Sequence, residues 1–208
     1  MTARKQRRME AVAQEVVKYG ADVLDSASHQ SCAKYIQHGT TNIQDHTISV
    51  ACMCVKLTRV FHLQKYDRYD LIRGALLHDY FLYDWHVKDE NRKGLHGYTH
   101  ASEAVQRAAE DFSVTPRMAS AMKTHMWPLN IAIPHTREAW ILTTADKICS
   151  FNEIFRKPYY YAVFDQIKGK LWTFSNYFFG LLSTLLPAGY TKAPFTPSRS
   201  ENSSIAAS

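Results

Sequence analysis

Apolar side chains recur at helical spacing through most of this chain, and this periodicity constrains its fold more than any other feature. Between Met9 and Leu24, for example, apolar residues return every three to four positions and define one face of a helix. No stretch of the sequence alternates apolar and polar residues convincingly over the length of a strand. The pattern therefore predicts an all-α fold, and it contains no internal repeat.

Residues that start and stop helices divide this pattern into separate elements. Asp45 and Thr115 are predicted N-caps, Pro116 suits a first helical position, and Gly39 and Pro128 end the helices that precede them. The predicted helices span about 9–26, 29–37, 46–63, 67–82, 100–112, 116–125 and 136–155.

At 208 residues the chain is long enough for one sizeable core. We expect an N-terminal helix with a basic tail over 1–26 and a helical domain over 27–157. An aromatic helical extension over 158–195 and a disordered Ser/Thr/Pro tail over 196–208 should follow.

The net charge of +6 is concentrated at the N-terminus, where four cations supply most of it: Arg4, Lys5, Arg7 and Arg8. A run of this kind is more often a solvated tail than a binding surface, so the charge does not indicate specific nucleic-acid binding. The four cysteines form no C-x-x-C pair and are typical of reduced thiols, and no export signal is apparent, so we expect a cytoplasmic protein.

One segment, Leu171 to Thr191, carries no charge for 21 residues and is in principle long enough to span a bilayer. Uncharged polar residues follow one side of it at helical spacing, and Pro187 and Gly189 interrupt its end. These features favour packing against the chain's own bundle or a second subunit, as in a homo-oligomer, over membrane insertion.

Residues of metal-binding type recur at or near helix ends, or on helix faces that otherwise point inward. In chain order they are His46, His78, Asp79, His100, His125 and Asp146. A buried charge is costly unless it is paired or bound to a metal, so adjacent ionisable residues at the end of an apolar helix need partners. Any one of these histidines alone is more often a hydrogen-bonded core or surface residue, and only the set carries weight.

The order and spacing of this set resemble those of the HD superfamily of metal-dependent phosphohydrolases. The strings "QDHTISVA", "LLHDYFLYDWH", "LHGYTHA", "THMWPL" and "TADKIC" are similar to those of small bacterial HD-domain hydrolases. The resemblance covers about half of the chain and implies an HD-domain helical bundle around two metal ions. In that arrangement His46, His78, Asp79 and Asp146 would hold one ion, while His100 and His125 would complete a second ion that Asp79 bridges.

Imidazole and carboxylate ligands suit borderline divalent ions such as Mn²⁺, Fe²⁺, Ni²⁺ or Zn²⁺ better than Ca²⁺. A water held between two such ions can become the nucleophile, so the protein need not supply a covalent one. The expected activity is hydrolysis of a phosphoester of a nucleotide or another small phosphorylated metabolite. The string "HGYTH" has threonine where the HD-GYP branch has proline, which argues against a cyclic-dinucleotide substrate.

Several further residues could act on the substrate. Lys147 could meet a phosphate or pair with a neighbouring aspartate, and His96 and His86 could protonate a leaving oxygen or remain ordinary surface residues. The polar segment "HVKDENRKGLHGY" should lie over the site, where its cations Lys88, Arg92 and Lys93 suit an anionic substrate or are simply solvated.

Two other functions fit the same residues. Some HD proteins bind two irons through the same ligand order and activate dioxygen, and a non-catalytic sensor could use an intact pocket to bind a nucleotide. The sequence does not separate the oxygenase from the hydrolase.

Overall fold

Seven α-helices and one small β-hairpin make up residues 2–83 and 96–155, the part of the chain that the computed structural model describes. The elements are α1 (Ala3–Asp25), α2 (Ala27–Ser31), β1 (Ile36–His38), β2 (Thr41–Asn42), α3 (Ile43–Val60), α4 (Arg68–Leu77), α5 (His96–Asp111), α6 (Pro116–Thr124) and α7 (Arg137–Phe155). This mostly helical architecture is consistent with the predicted all-α class. The predicted extension over 158–195 and tail over 196–208 lie outside the described residues.

Helix α1 begins earlier than the apolar pattern predicts. Thr2 is its N-cap and accepts a hydrogen bond from the backbone N–H of Lys5 at 3.4 Å. The basic residues expected in a tail therefore belong to the first turns of a helix. Further along α1, Val12, Val16 and Val23 are buried, and α1 contacts α3 and α4.

The predicted helix over 29–37 is wrong in its second half. A 3₁₀-helical turn over Cys32–Lys34 follows α2, and the chain then forms β1, which pairs antiparallel with β2. Gly39 makes the turn between them with a φ of 55°, a conformation that residues with a side chain rarely adopt. Strands of three and two residues are too short for an alternating pattern to reveal them.

Helix α3 is the central helix of the described bundle. Its N-cap is Asn42 rather than the predicted Asp45, because the Asn42 side chain accepts from the backbone N–H of Asp45 at 2.8 Å. Every residue from Ile43 to Val55 is buried, and α3 contacts α1, α4 and α7. A helix buried on all sides must satisfy any polar group that it carries, and His46 is such a group.

Two helices end immediately before a predicted metal ligand. Helix α4 stops at Leu77, so His78 is its C-cap, and α6 stops at Thr124, so His125 is its C-cap. The predicted start of α6 is confirmed, since the Thr115 hydroxyl accepts from the backbone N–H of Met118 at 3.1 Å.

The aromatic residues after Asp79 fasten the end of α4 to α5. Tyr80 and Phe81 are fully buried, and the Tyr80 hydroxyl donates to Asp111 at 2.5 Å. The Tyr83 hydroxyl donates to Glu103, also at 2.5 Å. Both acceptors lie in α5, so these bonds hold α5 beside the residues that follow α4.

None of the described helices combines the length and apolarity needed to cross a membrane. The uncharged segment 171–191 lies outside the described residues. All four cysteines are buried and unpaired.

Candidate metal centre

The six predicted metal ligands meet inside the bundle, although they come from five different helical regions. Each is at most 4% exposed: His46, His78, Asp79, His100, His125 and Asp146. His46 lies in the first turns of α3, His100 near the start of α5 and Asp146 midway along α7. The other three follow the ends of α4 and α6, so helix termination directs them inward.

One group of ligand atoms forms around the Oδ2 atom of Asp79. The Nε2 atoms of His46 and His78 lie 3.6 and 3.4 Å from it. The same two nitrogens lie 3.2 and 3.8 Å from Oδ1 of Asp146. The ligand atoms of His46, His78 and Asp79 therefore lie close to one another, and Asp146 contacts the same two nitrogens. We call His46, His78, Asp79 and Asp146 the first group.

A second group forms around the other oxygen of the same carboxylate. Oδ1 of Asp79 lies 3.4 Å from Nε2 of His100 and 3.5 Å from Nε2 of His125. These two nitrogens are 3.3 Å apart. We call Asp79, His100 and His125 the second group; Asp79 belongs to both groups and offers a different oxygen to each.

The backbone fixes the orientation of two of these imidazoles. Nδ1 of His78 lies 2.8 Å from the carbonyl of Ala75, and Nδ1 of His125 lies 2.6 Å from the carbonyl of Met122. Both carbonyls belong to the last turn of a helix, where they lack an intrahelical partner. Because each Nδ1–H donates to a carbonyl, Nε2 carries no hydrogen in the neutral ring and can bind a metal.

Neighbouring side chains form hydrogen bonds and ion pairs with members of the first group. Nδ1 of His46 lies 2.8 Å from Oε2 of Glu153, which is buried in the last turns of α7. Asp146 accepts from Ser150 at 3.1 Å and from Nζ of Lys147 at 2.8 Å. These hydrogen bonds orient the ligands, and the one from Ser150 is made to Oδ1 of Asp146, the oxygen that also faces His46 and His78.

Electrostatic interactions keep the two carboxylates ionised. Burial alone would raise the pKa of Asp79, but His78, His100 and His125 outweigh it and hold that pKa well below its usual range. Burial likewise opposes charge on Asp146, yet the imidazoles of His46 and His78 close to it lower its pKa well below the usual range. Two buried anions at neutral pH are an attractive environment for cations.

The imidazoles respond in opposite directions. Burial lowers the pKa of His125 to about 3, with a further contribution from His78, so this ring is neutral and available as a ligand. Burial would also lower the pKa of His46, but the carboxylates of Asp146 and Glu153 beside its two ring nitrogens raise it to about 10. A proton on His46 would then stand where a metal ion would otherwise balance the carboxylates.

The donor atoms fit divalent cations. Nε2 of His46, Nε2 of His78 and Oδ1 of Asp79 are buried without a hydrogen-bond partner among the described residues. Neighbouring ligands on a cation with bonds of about 2.0–2.2 Å lie roughly 3.0–3.5 Å apart, close to the separations seen here. The set of imidazoles and carboxylates suits Mn²⁺, Fe²⁺, Ni²⁺ or Zn²⁺. These buried groups could therefore hold a metal ion.

The other predicted site residues have different outcomes. Besides its ion pair with Asp146, Nζ of Lys147 donates to the backbone carbonyl of His125 at 3.2 Å, while its side chain remains 42% exposed. The pairing that the sequence left open is thus formed. The structure does not describe the side chains of the remaining candidates, which are His86, Lys88, Arg92, Lys93 and His96. The backbone of His96 is described, and it is the first residue of α5.

Three residues near the centre were missed by the sequence reasoning. Gln37 on β1 donates to Oδ2 of Asp79 at 2.5 Å, and the ring of His38 packs edge-on against His46 with 5.2 Å between centroids. The third is Glu153. It lies seven residues after Asp146, a spacing that places both on one helix face, so the pattern in α7 could have revealed it. Nothing in the sequence indicated that β1 lies beside Asp79.

Comparisons with protein-family models, with curated proteins and with solved structures gave no match.

Proposed function

We propose that this protein is a metal-dependent phosphohydrolase of the HD type that cleaves a phosphoester of a nucleotide or another small phosphorylated metabolite. The observation that carries the proposal is the position of Asp79, whose two oxygens face two separate sets of histidines. A carboxylate shared in this way is suited to bridge two ions, the arrangement used by many two-metal phosphatases. The motif resemblance described above supports the same reaction class.

When bound, two divalent ions would activate a water molecule and stabilise negative charge on the phosphoryl group. The water oxygen would form a bond to phosphorus while the ester P–O bond breaks, giving an alcohol and a phosphate. The proton released by the water would pass to the leaving oxygen or to solvent. The cysteines are poor candidates for a covalent nucleophile, because they are buried thiols whose pKa burial raises, as at Cys54.

The charge of the centre favours an anionic substrate. Two divalent ions would bring four positive charges, against three nearby carboxylates on Asp79, Asp146 and Glu153. The centre would keep a net positive charge and would attract a phosphate group. Lys147 lies at the same place and is partly exposed, so it could add a hydrogen bond to a phosphoryl oxygen.

The test combines metal analysis with turnover. Protein purified without oxygen should be loaded separately with Mn²⁺, Fe²⁺, Ni²⁺ and Zn²⁺, and then assayed for metal content and for phosphate release from p-nitrophenyl phosphate and a panel of nucleotides. We expect about two ions per chain and turnover with at least one metal. Two irons with a mixed-valent signal and dioxygen consumption would instead support the oxygenase, and tight nucleotide binding without turnover would support the sensor.

The variant for this test is Asp79→Ala, which removes the shared carboxylate. It should lose metal and abolish turnover, because both groups depend on that residue. Asp70→Ala is the matched control, since Asp70 is a buried aspartate of α4 that bonds to Thr115 rather than to the centre. Normal metal content and turnover in Asp79→Ala would refute the two-metal proposal.

A further inference from the structure

Gln37 enters the candidate metal centre from outside the helical bundle. It lies in β1 and is only 5% exposed, and its Nε2 donates to Oδ2 of Asp79 across 42 positions of sequence. The acceptor is an ionised carboxylate, and hydrogen bonds to charged acceptors are stronger than those between neutral groups. An ionised carboxylate can only accept, so the NH₂ group of Gln37 must face it and the assignment of the amide atoms follows.

This bond acts on the one residue shared by both ligand groups. Rotation about the Cβ–Cγ bond of an aspartate is broad, so a lone carboxylate does not hold its two oxygens toward two fixed points. At Asp79, Oδ2 must face His46 and His78 while Oδ1 faces His100 and His125. A donor on Oδ2 restricts that rotation and preserves both contacts.

The hairpin is built to keep Gln37 in place. Gly39 turns the chain directly after β1, and a Cβ at this position would lie 3.2 Å from the carbonyl oxygen of Glu153. The hairpin therefore packs closely on α7, the helix that also carries Asp146. Its far end is tied by the bond from the backbone N–H of Ile43 to the carbonyl of Tyr35, at 2.9 Å.

The other half of the Gln37 amide is available. Oε1 is buried and has no hydrogen-bond partner among the described residues. It belongs to the same amide group whose Nε2 contacts the carboxylate of Asp79. A buried acceptor without a donor is unfavourable, so this position favours a small ligand that can donate a hydrogen bond.

We propose that Gln37 is a positioning residue for hydrolysis: its Nε2 holds Asp79 in the orientation that serves both ligand groups, and its Oε1 accepts a hydrogen bond from the attacking water. This inference rests on the proposed function and adds a residue that the metal-ligand pattern does not include. It assigns the β-hairpin a role in the reaction rather than in folding alone.

The test replaces Gln37 by methionine, which has a similar length but neither donates nor accepts as the amide does. Thr41→Val is the matched control, because Thr41 lies on β2 of the same hairpin, is also buried and has an Oγ1 atom without a hydrogen-bond partner among the described residues. Both variants should be checked for unchanged thermal unfolding. Mn²⁺ affinity should then be measured by titration, and the exchange coupling of the bound ions by electron paramagnetic resonance.

Gln37→Met should bind Mn²⁺ about 10- to 100-fold more weakly and change the exchange coupling, as expected when a ligand loses its supporting hydrogen bond. At saturating Mn²⁺ its kcat should still be lower than that of the wild type, with little change in KM, because the water is no longer oriented. Gln37→Asn, whose amide is on a shorter side chain, should have Mn²⁺ affinity and kcat between those of Gln37→Met and the wild type. Thr41→Val should match the wild type.

The outcomes separate this inference from the proposed function. A wild type that binds two ions and hydrolyses phosphoesters, with a Gln37→Met variant of equal affinity, coupling and kcat, would overturn the role of Gln37 alone. A Thr41→Val variant as impaired as Gln37→Met would overturn it too, because the effect would then belong to the hairpin as a whole. A wild type that binds no divalent ion would overturn both.

Discussion

Nδ1 of His46 lies 2.8 Å from Oε2 of Glu153, while Nε2 of the same ring lies 3.2 Å from Oδ1 of Asp146. One imidazole from α3 thus joins two residues of α7 that are two helical turns apart. The carboxylate on Nδ1 fixes the ring orientation and makes Nε2 a stronger ligand, as in other carboxylate–histidine–metal arrangements. The contact also links α3 to α7, two helices that pack extensively against each other.

The first prediction concerns this contact. Glu153→Ala should weaken metal binding by about 10- to 100-fold, because His46 loses the partner that orients it. Glu153→Gln should lose less, since its amide oxygen can still accept from Nδ1. The measurement is a competition titration between the protein and a chelator of known affinity.

Glu138→Ala provides the control for that experiment. Glu138 is also a buried glutamate of α7, but it accepts from the backbone N–H of Asp67 at 2.6 Å, away from the centre. It should lower the unfolding temperature without changing metal affinity. Equal metal affinity in Glu153→Ala and wild type would show that the carboxylate supports packing only.

The second prediction concerns the number of ions. His125→Ala removes one of the three members of the second group, whereas the four members of the first group stay intact. Metal content should therefore fall from about two ions per chain toward one. His100→Ala should behave in the same way, and His135→Ala, which alters an exposed histidine, should leave the content unchanged.

Elemental analysis after removal of excess metal gives the number directly. If the wild type never holds more than one ion, even in excess metal, the interpretation of Asp79 as a bridge is wrong.

The helices were largely predictable from sequence, because each carries a local signal. Thr115 and Pro116 start α6 as predicted, and the apolar face of α1 was visible as a repeat. The largest boundary errors lie at the start of α1, which begins at Ala3 rather than near 9, and at the end of α4, predicted near 82 but observed at Leu77. At α3, Asn42 and Asp45 are both good capping residues, and the structure uses Asn42. Local patterns do not decide between two such neighbours.

The centre was predictable only in part. Its six metal-ligand candidates could be recognised as a set because their residue types and order are distinctive, and the structure brings five of them into two close groups, with Asp146 against His46 and His78. Gln37 could not be found in this way, since glutamine is common and its contact with Asp79 depends on a two-stranded hairpin too short to predict. Supporting residues of this kind are set by tertiary packing.

The third prediction keeps the expectation for the polar segment between His86 and Tyr98, whose side chains lie outside the described residues. Its cations, Arg92 and Lys93, are expected to meet substrate phosphates. Arg92→Ala and Lys93→Ala should keep both metals and weaken substrate binding by about 1–2 kcal/mol each, mainly as a higher KM. Steady-state kinetics at fixed salt and saturating metal provide the measurement.

Arg7→Ala is the control for this prediction, because Arg7 is an exposed cation in the first turns of α1. It should change neither constant. Unchanged KM and kcat in the double variant of Arg92 and Lys93 would assign phosphate binding to Lys147 or to the metals alone.

The fourth prediction concerns stability against acid. His29 is only 1% exposed, and its Nε2 lies 3.3 Å from the hydroxyl of Thr47 in α3. Burial lowers the pKa of His29 from 6.5 to about 4. As the pH falls, His29 is therefore protonated in the unfolded chain before it is protonated in the folded chain. Stability is lost as the pH falls from 6.5 toward 4. At about pH 5 the loss should be about 2 kcal/mol in the free energy of unfolding. The free energy of unfolding, measured in urea, should change less between pH 7 and pH 5 in His29→Gln, which stays neutral, than in the wild type. An equal change in both proteins would show that His29 does not control this acid sensitivity.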